Sequence, residues 1–371
     1  MGHWPKLYRG VFLLLLLAGQ GFCVGFGPPQ LAAHDMDPLS LSPVQVQQMT
    51  HMAPPEVQAS AALLMDVGTQ TVLYDHNGSE RRAPASTTKM MTALVAIEHG
   101  NLDDKVVVQA SDLTVDSAAG LQPGEVLTLR DLLYVMLLPS DNAAAQVIAR
   151  YIGGSVPAFV DMMNAQAASW GLHDTHFVNP HGLDDPEHYS SAHDLAEIAL
   201  HGLANPVFAE IVSTPERQVG THTLHNLNQL LGAYEGTQGV KTGTTDAAGQ
   251  CLVAEVARPT GRVLCVVLGS DDRYREAKAL LDYYFANYES IPLTLGPKGL
   301  NRVYQPGGQE GVLVLHDQRQ ALLPDWQVPW LRLVRDIHDP QAGDGAGPVG
   351  TVRFTAGNNS LADLPVYISP P

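Results

Sequence analysis

A serine and a lysine that could serve as nucleophile and base stand three residues apart, as Ser86 and Lys89, in the segment from Pro84 to Leu94. Three residues is nearly one turn of α-helix, so the hydroxyl and the amine would share a helix face. Pro84 is typical of a first helical turn and Gly100 of a helix end. We therefore expect Ser86 at the amino-terminal end of a helix, where the dipole favours negative charge on its oxygen and a backbone N–H can stabilise an oxyanion.

Lys89 lies among methionine and alanine residues, which predicts partial burial of its amine. Burial lowers the pKa of a lysine and favours the neutral form, which can accept a proton. The Ser-x-x-Lys pattern is short enough to arise by chance, and on its own it also fits a helix cap followed by a solvated lysine. The assignment therefore depends on the motifs that accompany it.

Two further motifs follow, Leu138-Pro-Ser-Asp-Asn142 and Gly239-Val-Lys-Thr-Gly-Thr244. The three motifs stand in the order that penicillin-binding proteins and serine β-lactamases use. With them, the chain resembles the low-molecular-mass D-alanyl-D-alanine carboxypeptidases, serine enzymes that trim the stem peptides of peptidoglycan. The resemblance is strong from about residue 58 to residue 290 and includes the segments 81–94, 176–184 and 188–192.

The resemblance implies catalysis through a covalent intermediate. Ser86 would attack the carbonyl between the two terminal D-alanines, one D-alanine would leave, and water would hydrolyse the acyl-enzyme. Lys89 is then the base for Ser86. Ser140 would relay a proton toward the leaving nitrogen, and Asn142 would hydrogen-bond the substrate amide. β-Lactams present a strained amide in the same pose, so we expect them to acylate the same serine.

The third motif would hold the carboxylate end of the substrate. Lys241 adds a positive field that helps to keep Lys89 neutral and attracts the carboxylate. Thr242 and Thr244 can bind that carboxylate, and Gly243 lets the substrate backbone approach and pair with an exposed strand. The backbone N–H of Thr244, together with that of the nucleophilic serine, would form the oxyanion hole.

Two residues depart from the pattern of the family. Thr244 stands where many of these carboxypeptidases have histidine, and Asp141 stands where glycine or alanine is usual. Asp141 makes a class A β-lactamase the nearest alternative, because those enzymes share the Ser-Asp-Asn triplet. They also need a glutamate some thirty residues further on to activate the deacylating water. No glutamate occurs between Tyr151 and Pro186, so we expect slow hydrolysis of penicillin.

A second alternative is a non-catalytic protein that uses the same cleft to bind peptidoglycan. The presence of both the nucleophile and the base favours an enzyme. No cofactor is implied. The loop from Gly171 to His188 carries several histidines, but their spacing matches no zinc pattern and no metal is expected. Cys251 and Cys265 lie on two runs that resemble a hairpin, and buried unpaired thiols are the expected state.

The first 27 residues resemble a secretory signal, with Lys6 and Arg9 before an apolar run, and an uncleaved membrane anchor is the alternative. Residues 28–57 are predicted to be a linker. We therefore expect an exported protein of the periplasm or the outer face of the cell membrane, with any membrane association at the amino end. The formal net charge of -17 argues against nucleic acid as a partner.

The element pattern predicts an α+β fold, with strand-rich ends around a helical middle. Together with the resemblance it implies a β-lactamase/transpeptidase-like domain over residues 58–290. Such a domain has an antiparallel sheet flanked by helices, with a helical insert beside the cleft. Residues 291–371 form short alternating runs between prolines and glycines, which predicts a small C-terminal β-domain.

Overall fold

The computed structural model describes residues 53–304, 308–338 and 347–370. The predicted signal segment, residues 1–27, and nearly all of the predicted linker, residues 28–57, lie outside these ranges. The α-helices of the described ranges are α1 (Lys89–His99), α2 (Leu129–Leu137), α3 (Asn142–Gly153), α4 (Val156–Ser169), α5 (Ala192–Ala204), α6 (Pro206–Val212) and α7 (Arg273–Asn287).

The first ten strands include those around the candidate site. They are β1 (Ala61–Asp66), β2 (Val72–His76), β3 (Lys105–Val107), β4 (Val126–Thr128), β5 (Glu216–Val219), β6 (His222–His225), β7 (Thr237–Thr245), β8 (Gly249–Arg258), β9 (Gly261–Ser270) and β10 (Tyr288–Leu293). The remaining strands are β11 (Arg302–Tyr304), β12 (Glu310–Leu315), β13 (Arg319–Pro324), β14 (Leu331–Ile337), β15 (Gly350–Ala356) and β16 (Asn359–Ser369).

The central sheet is antiparallel, with the order β2-β1-β9-β8-β7, so β7 lies at one edge. Alternate residues of a strand point to opposite faces, and both faces here are apolar. Leu63 on β1 and Val266 on β9 pack into the core formed with α1 to α6. Leu64 and Cys265 pack on the other face, against α7. The sheet is therefore covered by helices on both sides.

Local chemistry explains where the two helices around the second motif begin and end. Thr128 caps α2 by accepting a hydrogen bond from the backbone N–H of Asp131 at 3.0 Å. Pro139 follows that helix closely and cannot extend it. Asp141 then caps α3, which ends at Gly153. The second motif consequently lies in a tight turn between two helices.

The C-terminal part forms its own antiparallel sheet, with the order β11-β12-β16-β15-β14, and β10 pairs with β13 beside it. Val352, Phe354, Leu364 and Val366 lie in a separate hydrophobic core. The fold is thus the predicted α+β arrangement, with a transpeptidase-like sheet and helices followed by a β-rich part. No single helix of the described residues is long and apolar enough to span a membrane; α5 and α6 meet that test only jointly, across a bend of 107°.

Candidate active site

Ser86 lies in a single 3₁₀ turn, Ala85–Thr88, that leads directly into α1. The turn begins at Ala85, whose φ of 48° is in the left-handed region that residues with a side chain rarely adopt. Strain of this kind is typical of functional sites, where the surrounding structure enforces it. The expected placement of Ser86 at the amino-terminal end of a helix is confirmed, although its own turn is 3₁₀ and not α-helical.

The side chain of Lys89 connects three elements of the site. Its Nζ lies 2.8 Å from Ser86 Oγ, 2.7 Å from Asn142 Oδ1 and 2.8 Å from the carbonyl oxygen of His181. The residue is fully buried. The two other acceptors hold the nitrogen in place, and in its neutral form the amine can accept the proton of the serine hydroxyl.

The pKa of Lys89 lies well below its usual value, chiefly because burial penalises the ammonium form. The positive charge of Lys241 lowers it further, whereas the carboxylate of Asp141 acts in the opposite direction. The neighbouring cation therefore favours the neutral amine, as expected from the sequence. A neutral Lys89 is the form that can act as a base toward Ser86.

A second serine and lysine pair completes the polar cluster. Lys241 Nζ donates hydrogen bonds to Ser140 Oγ at 3.0 Å and to the carbonyl oxygen of Thr242 at 2.9 Å. Burial and the nearby Arg273 guanidinium lower the pKa of Lys241 to about 7. Ser140 has a left-handed backbone with φ of 64°. This conformation stores strain in the turn that carries the residue.

Strand β7 brings Gly243 against the nucleophile turn. A Cβ atom added to Gly243 would stand 2.9 Å from the backbone nitrogen of Ser86 and 2.9 Å from Cβ of Ala85. Glycine is therefore required by the close approach of the two backbones. Because β7 is an edge strand of the sheet, this approach leaves an extended backbone beside the nucleophile, where a peptide can pair.

Arg273 is a site residue that the sequence reasoning did not identify. Its guanidinium donates to the carbonyl oxygen of Gly243 at 2.6 Å and to Thr244 Oγ1 at 2.6 Å. The residue opens α7, which follows β9 directly, and this position beside the strand ends was the only signal in the sequence. It adds a second positive charge at the end of the third motif.

The predicted site residues are largely brought together. Ser86, Lys89 and Asn142 form one hydrogen-bonded group, and Ser140 with Lys241 forms another. Thr242 contributes its carbonyl oxygen, Gly243 packs on the nucleophile turn, and the Thr244 hydroxyl donates to Gly243 O at 2.8 Å. The binding roles of the two threonines remain predictions.

Three histidines of the loop from residue 171 to residue 188 hydrogen-bond backbone groups of the same loop, and they are His176, His181 and His188. Burial lowers the pKa of His181 to about 3 and that of His188 to about 4, so both are neutral near pH 7. The Nδ1 atom of His188 accepts from the backbone N–H of Val178 at 3.1 Å, and its Nε2 lies 2.8 Å from Thr88 Oγ1. No group of three or more potential metal ligands occurs within residues 53–304, 308–338 and 347–370.

Both cysteines of the described ranges are free and buried, as expected. They lie on neighbouring strands but face opposite sides of the sheet. Cys251 belongs to the core formed with α1 to α6, and Cys265 belongs to the core formed with α7. Burial accordingly raises the pKa of the Cys251 thiol to about 11.

Comparison with known proteins agrees with this geometry. The family model described as D-alanyl-D-alanine carboxypeptidase, peptidase S11, matches residues 47–272. The chain is 36% identical over 250 residues to the D-alanyl-D-alanine carboxypeptidase DacF of Bacillus subtilis, an alignment that covers 64% of each protein. It is also 36% identical over 263 residues to a D-alanyl-D-alanine carboxypeptidase of a Streptomyces species, covering 64% of this chain and 90% of the relative.

Solved structures show the same similarity. Penicillin-binding protein 5 from Haemophilus influenzae superposes with a TM-score of 0.69 at 27% identity, covering 86% of this chain and 98% of that one. The Streptomyces K15 DD-transpeptidase superposes with a TM-score of 0.60 at 34% identity, covering 63% and 99%. From the matched family model and the converging serines and lysines, we conclude that this chain belongs to the peptidase S11 family of serine D-alanyl-D-alanine carboxypeptidases.

Proposed function

We propose that the protein removes the terminal D-alanine from peptidoglycan stem pentapeptides through an acyl-enzyme on Ser86. The observation that carries the proposal is the 2.8 Å contact between Ser86 Oγ and the buried amine of Lys89. A neutral amine at this distance can take the proton of the hydroxyl as the oxygen attacks. The substrate class comes from the family, whose relatives are named D-alanyl-D-alanine carboxypeptidases.

In acylation, a bond from the serine oxygen to the substrate carbonyl carbon replaces the bond from that carbon to the terminal D-alanine nitrogen. Ser86 Oγ forms a bond to the carbonyl carbon while its proton passes to Lys89, and the backbone N–H groups of Ser86 and Thr244 stabilise the oxyanion. The bond to the terminal D-alanine nitrogen then breaks, and the proton that Lys89 accepted passes through Ser140 to that nitrogen. Ser140 suits this role because its hydroxyl contacts Lys241 at 3.0 Å. Water later replaces the serine oxygen and regenerates the enzyme.

Positive charge at the end of β7 selects a substrate with a free carboxylate. Lys241 supplies charge beside Ser140, and Arg273 holds the Thr244 hydroxyl at 2.6 Å. Thr242 and Thr244 offer hydroxyls for the carboxylate oxygens, while Asn142 hydrogen-bonds the substrate amide. Gly243 permits the peptide backbone to pair with the edge strand. An internal peptide segment has no carboxylate at this point and should therefore bind the site less tightly.

This chain shares the Asp141 position with class A β-lactamases, but the corresponding loop, between Tyr151 and Pro186, contains no glutamate that could activate the deacylating water. That loop instead presents the carbonyl oxygen of His181 to Lys89 at 2.8 Å. A carbonyl oxygen cannot remove a proton from water as a carboxylate does. We therefore expect a long-lived penicilloyl-enzyme, and rapid penicillin turnover would contradict this assignment.

The central experiment combines two measurements on the same protein. Wild type is expected to become covalently labelled by a fluorescent penicillin and to release D-alanine from a stem pentapeptide. Ser86→Ala should lose both, whereas the matched control Ser111→Ala, an exposed serine outside the site, should retain both. Labelling without D-alanine release would favour the non-catalytic peptidoglycan-binding alternative, and absence of labelling in the wild type would refute the proposal.

The cellular arrangement forms a further part of the proposal. Residues 58–290 act as the catalytic domain and residues 291–371 as a C-terminal β-domain, which is supported by the separate core around Phe354. Residues 1–27 direct export, so that the enzyme acts on the wall outside the cytoplasm. Mass spectrometry of the mature amino terminus tests this: a chain starting near residue 28 indicates a cleaved signal, and an intact start indicates an anchor.

A further inference from the structure

Asp141 lies between the two site residues Ser140 and Asn142 and is fully buried. Its carboxylate accepts hydrogen bonds from three donors. Its Oδ1 accepts from the backbone N–H of Ala144 at 2.7 Å, which is the helix cap. Its Oδ2 accepts from Ser117 Oγ and from the backbone N–H of Ala119, both at 2.8 Å. A helix cap needs only the first of these contacts.

The other two contacts bind Asp141 to a distant segment, Ser117–Leu121, which lies 20 to 24 residues earlier in the chain. Ser117 closes this segment on itself, because its Oγ also accepts from the backbone N–H of Leu121 at 3.0 Å. The carbonyl of Ala119 is held from a third side, by Nδ1 of His222 at 2.9 Å. The segment is thus a firm support and not a loose loop resting on the carboxylate.

The turn that Asp141 holds has a strained backbone. Ser140 has φ of 64°, a conformation that costs a non-glycine residue on the order of 1 kcal/mol or more. Such a conformation persists only where surrounding contacts enforce it. On either side of Asp141, Ser140 Oγ accepts from Lys241 and Asn142 Oδ1 lies 2.7 Å from Lys89 Nζ, so a small movement of the turn displaces both groups.

We propose that Asp141 is a positioning residue for catalysis, which clamps the 138–142 turn to the Ser117–Leu121 segment and so aims Ser140 and Asn142 at the two active-site lysines. The inference rests on the proposed function, because it concerns the same site. It differs from a capping role in requiring the Ser117 contact as well as the Ala144 contact.

The carboxylate has a second effect that distinguishes charge from geometry. Among the groups around Lys89, Lys241 on β7 lowers its pKa and Asp141 raises it, while the buried imidazole of His181 is neutral near pH 7. Asp141→Asn removes the negative charge, which should lower the pKa of Lys89. The acid limb of the pH profile of acylation should therefore move to lower pH. Ser117→Ala loses one clamp contact but keeps the charge, so its acid limb should stay in place.

The test uses the full-length protein, with fluorescent penicillin for acylation and a stem pentapeptide for D-alanine release. Asp141→Asn is expected to lower the first-order acylation rate by about 10-fold or more, and Ser117→Ala by about threefold. Affinity of the noncovalent complex should change little, because Lys241 and Arg273 remain in place. In the double variant the two losses should fail to multiply, since both remove the same clamp. Asp116→Asn, an exposed carboxylate next to Ser117, is the matched control and should behave as wild type.

The outcomes separate this inference from the proposed function. A wild type that is neither acylated nor active refutes the proposed function itself. An active wild type with unchanged acylation in both variants overturns the clamp. A lower melting temperature of Asp141→Asn with unchanged acylation rate and pH profile would reduce Asp141 to a helix cap, which also overturns it. Thermal unfolding of every variant is measured so that misfolded protein is not mistaken for an inactive site.

Discussion

At the scale of single residues, the site depends on two buried lysines with different roles. Burial lowers the pKa of both, to about 7 for Lys241 and well below the usual value for Lys89. Because the charge of Lys241 further disfavours protonation of Lys89, one amine can be a base while the other is still a cation. The same residue type thus supplies proton acceptance on one side of the cleft and positive charge on the other.

This difference predicts the pH dependence of acylation. The rate should rise with pH as Lys89 loses its proton, and the preference for a carboxylate substrate should weaken above about pH 7 as Lys241 becomes neutral. Lys241→Gln removes the cation beside Lys89, so the pKa of Lys89 should rise and the acid limb should move to higher pH. The measurement is the pH profile of penicillin acylation and of peptide kcat/KM.

Lys278→Gln removes an exposed lysine from α7 and serves as the control, with an unshifted profile expected. An acid limb that stays in place in Lys241→Gln would show that the two amines do not interact, against the geometry described above.

At the scale of elements, catalysis depends on how closely edge strand β7 approaches the turn before α1. The contact has room for a hydrogen atom at Gly243 and for nothing larger, since the atoms that a Cβ would meet belong to the backbone or to a Cβ atom. Backbone atoms cannot rotate away as flexible side-chain ends do. The spacing between strand and nucleophile is consequently set by this one residue.

Gly243→Ala should therefore push β7 away from Ser86 and separate the two N–H groups of the oxyanion hole. We expect acylation to slow by about 10- to 100-fold, measured with fluorescent penicillin. Gly299→Ala is the matched control, because a Cβ there meets nothing within 4 Å. Equal acylation rates for Gly243→Ala and wild type would disprove the role of this close approach.

At the scale of the whole molecule, the residues that the structure describes bury their apolar side chains in three cores. Two lie on the faces of the central sheet and the third lies within the C-terminal β-rich part. The site residues all belong to the part of the chain around the first two cores. Loss of packing in the third core should consequently leave the chemistry intact.

Phe354→Ala tests this separation, because Phe354 is 2% exposed in the third core. We expect a local loss of about 3–5 kcal/mol in the free energy of unfolding, seen by calorimetry as an earlier transition, with normal acylation by penicillin. Phe177→Ala makes the same deletion in the core formed with α1 to α6. The Phe177 side chain there anchors the loop that carries His181. This variant should lose acylation. A parallel loss of acylation in Phe354→Ala would argue against two domains.

Much of the site could be predicted from sequence because its chemistry is encoded in short local patterns. Helical spacing placed Ser86 and Lys89 on one face, and Gly100 predicted the end of their helix. The alternation of apolar residues predicted the strands, and the order of the three motifs indicated the family. These signals depend only on neighbouring residues, which is why they can be read from the chain alone.

Only the tertiary structure decided which distant groups complete the site. The carbonyl of His181, the guanidinium of Arg273 and the hydroxyl of Ser117 reach their partners across gaps of 92, 29 and 24 residues. A backbone carbonyl has no signature in the sequence, and an arginine or serine is common enough to carry none. The degree of burial that lowers the pKa of both lysines is likewise a property of the packed core, because desolvation depends on everything that surrounds a group and not on its neighbours in the chain.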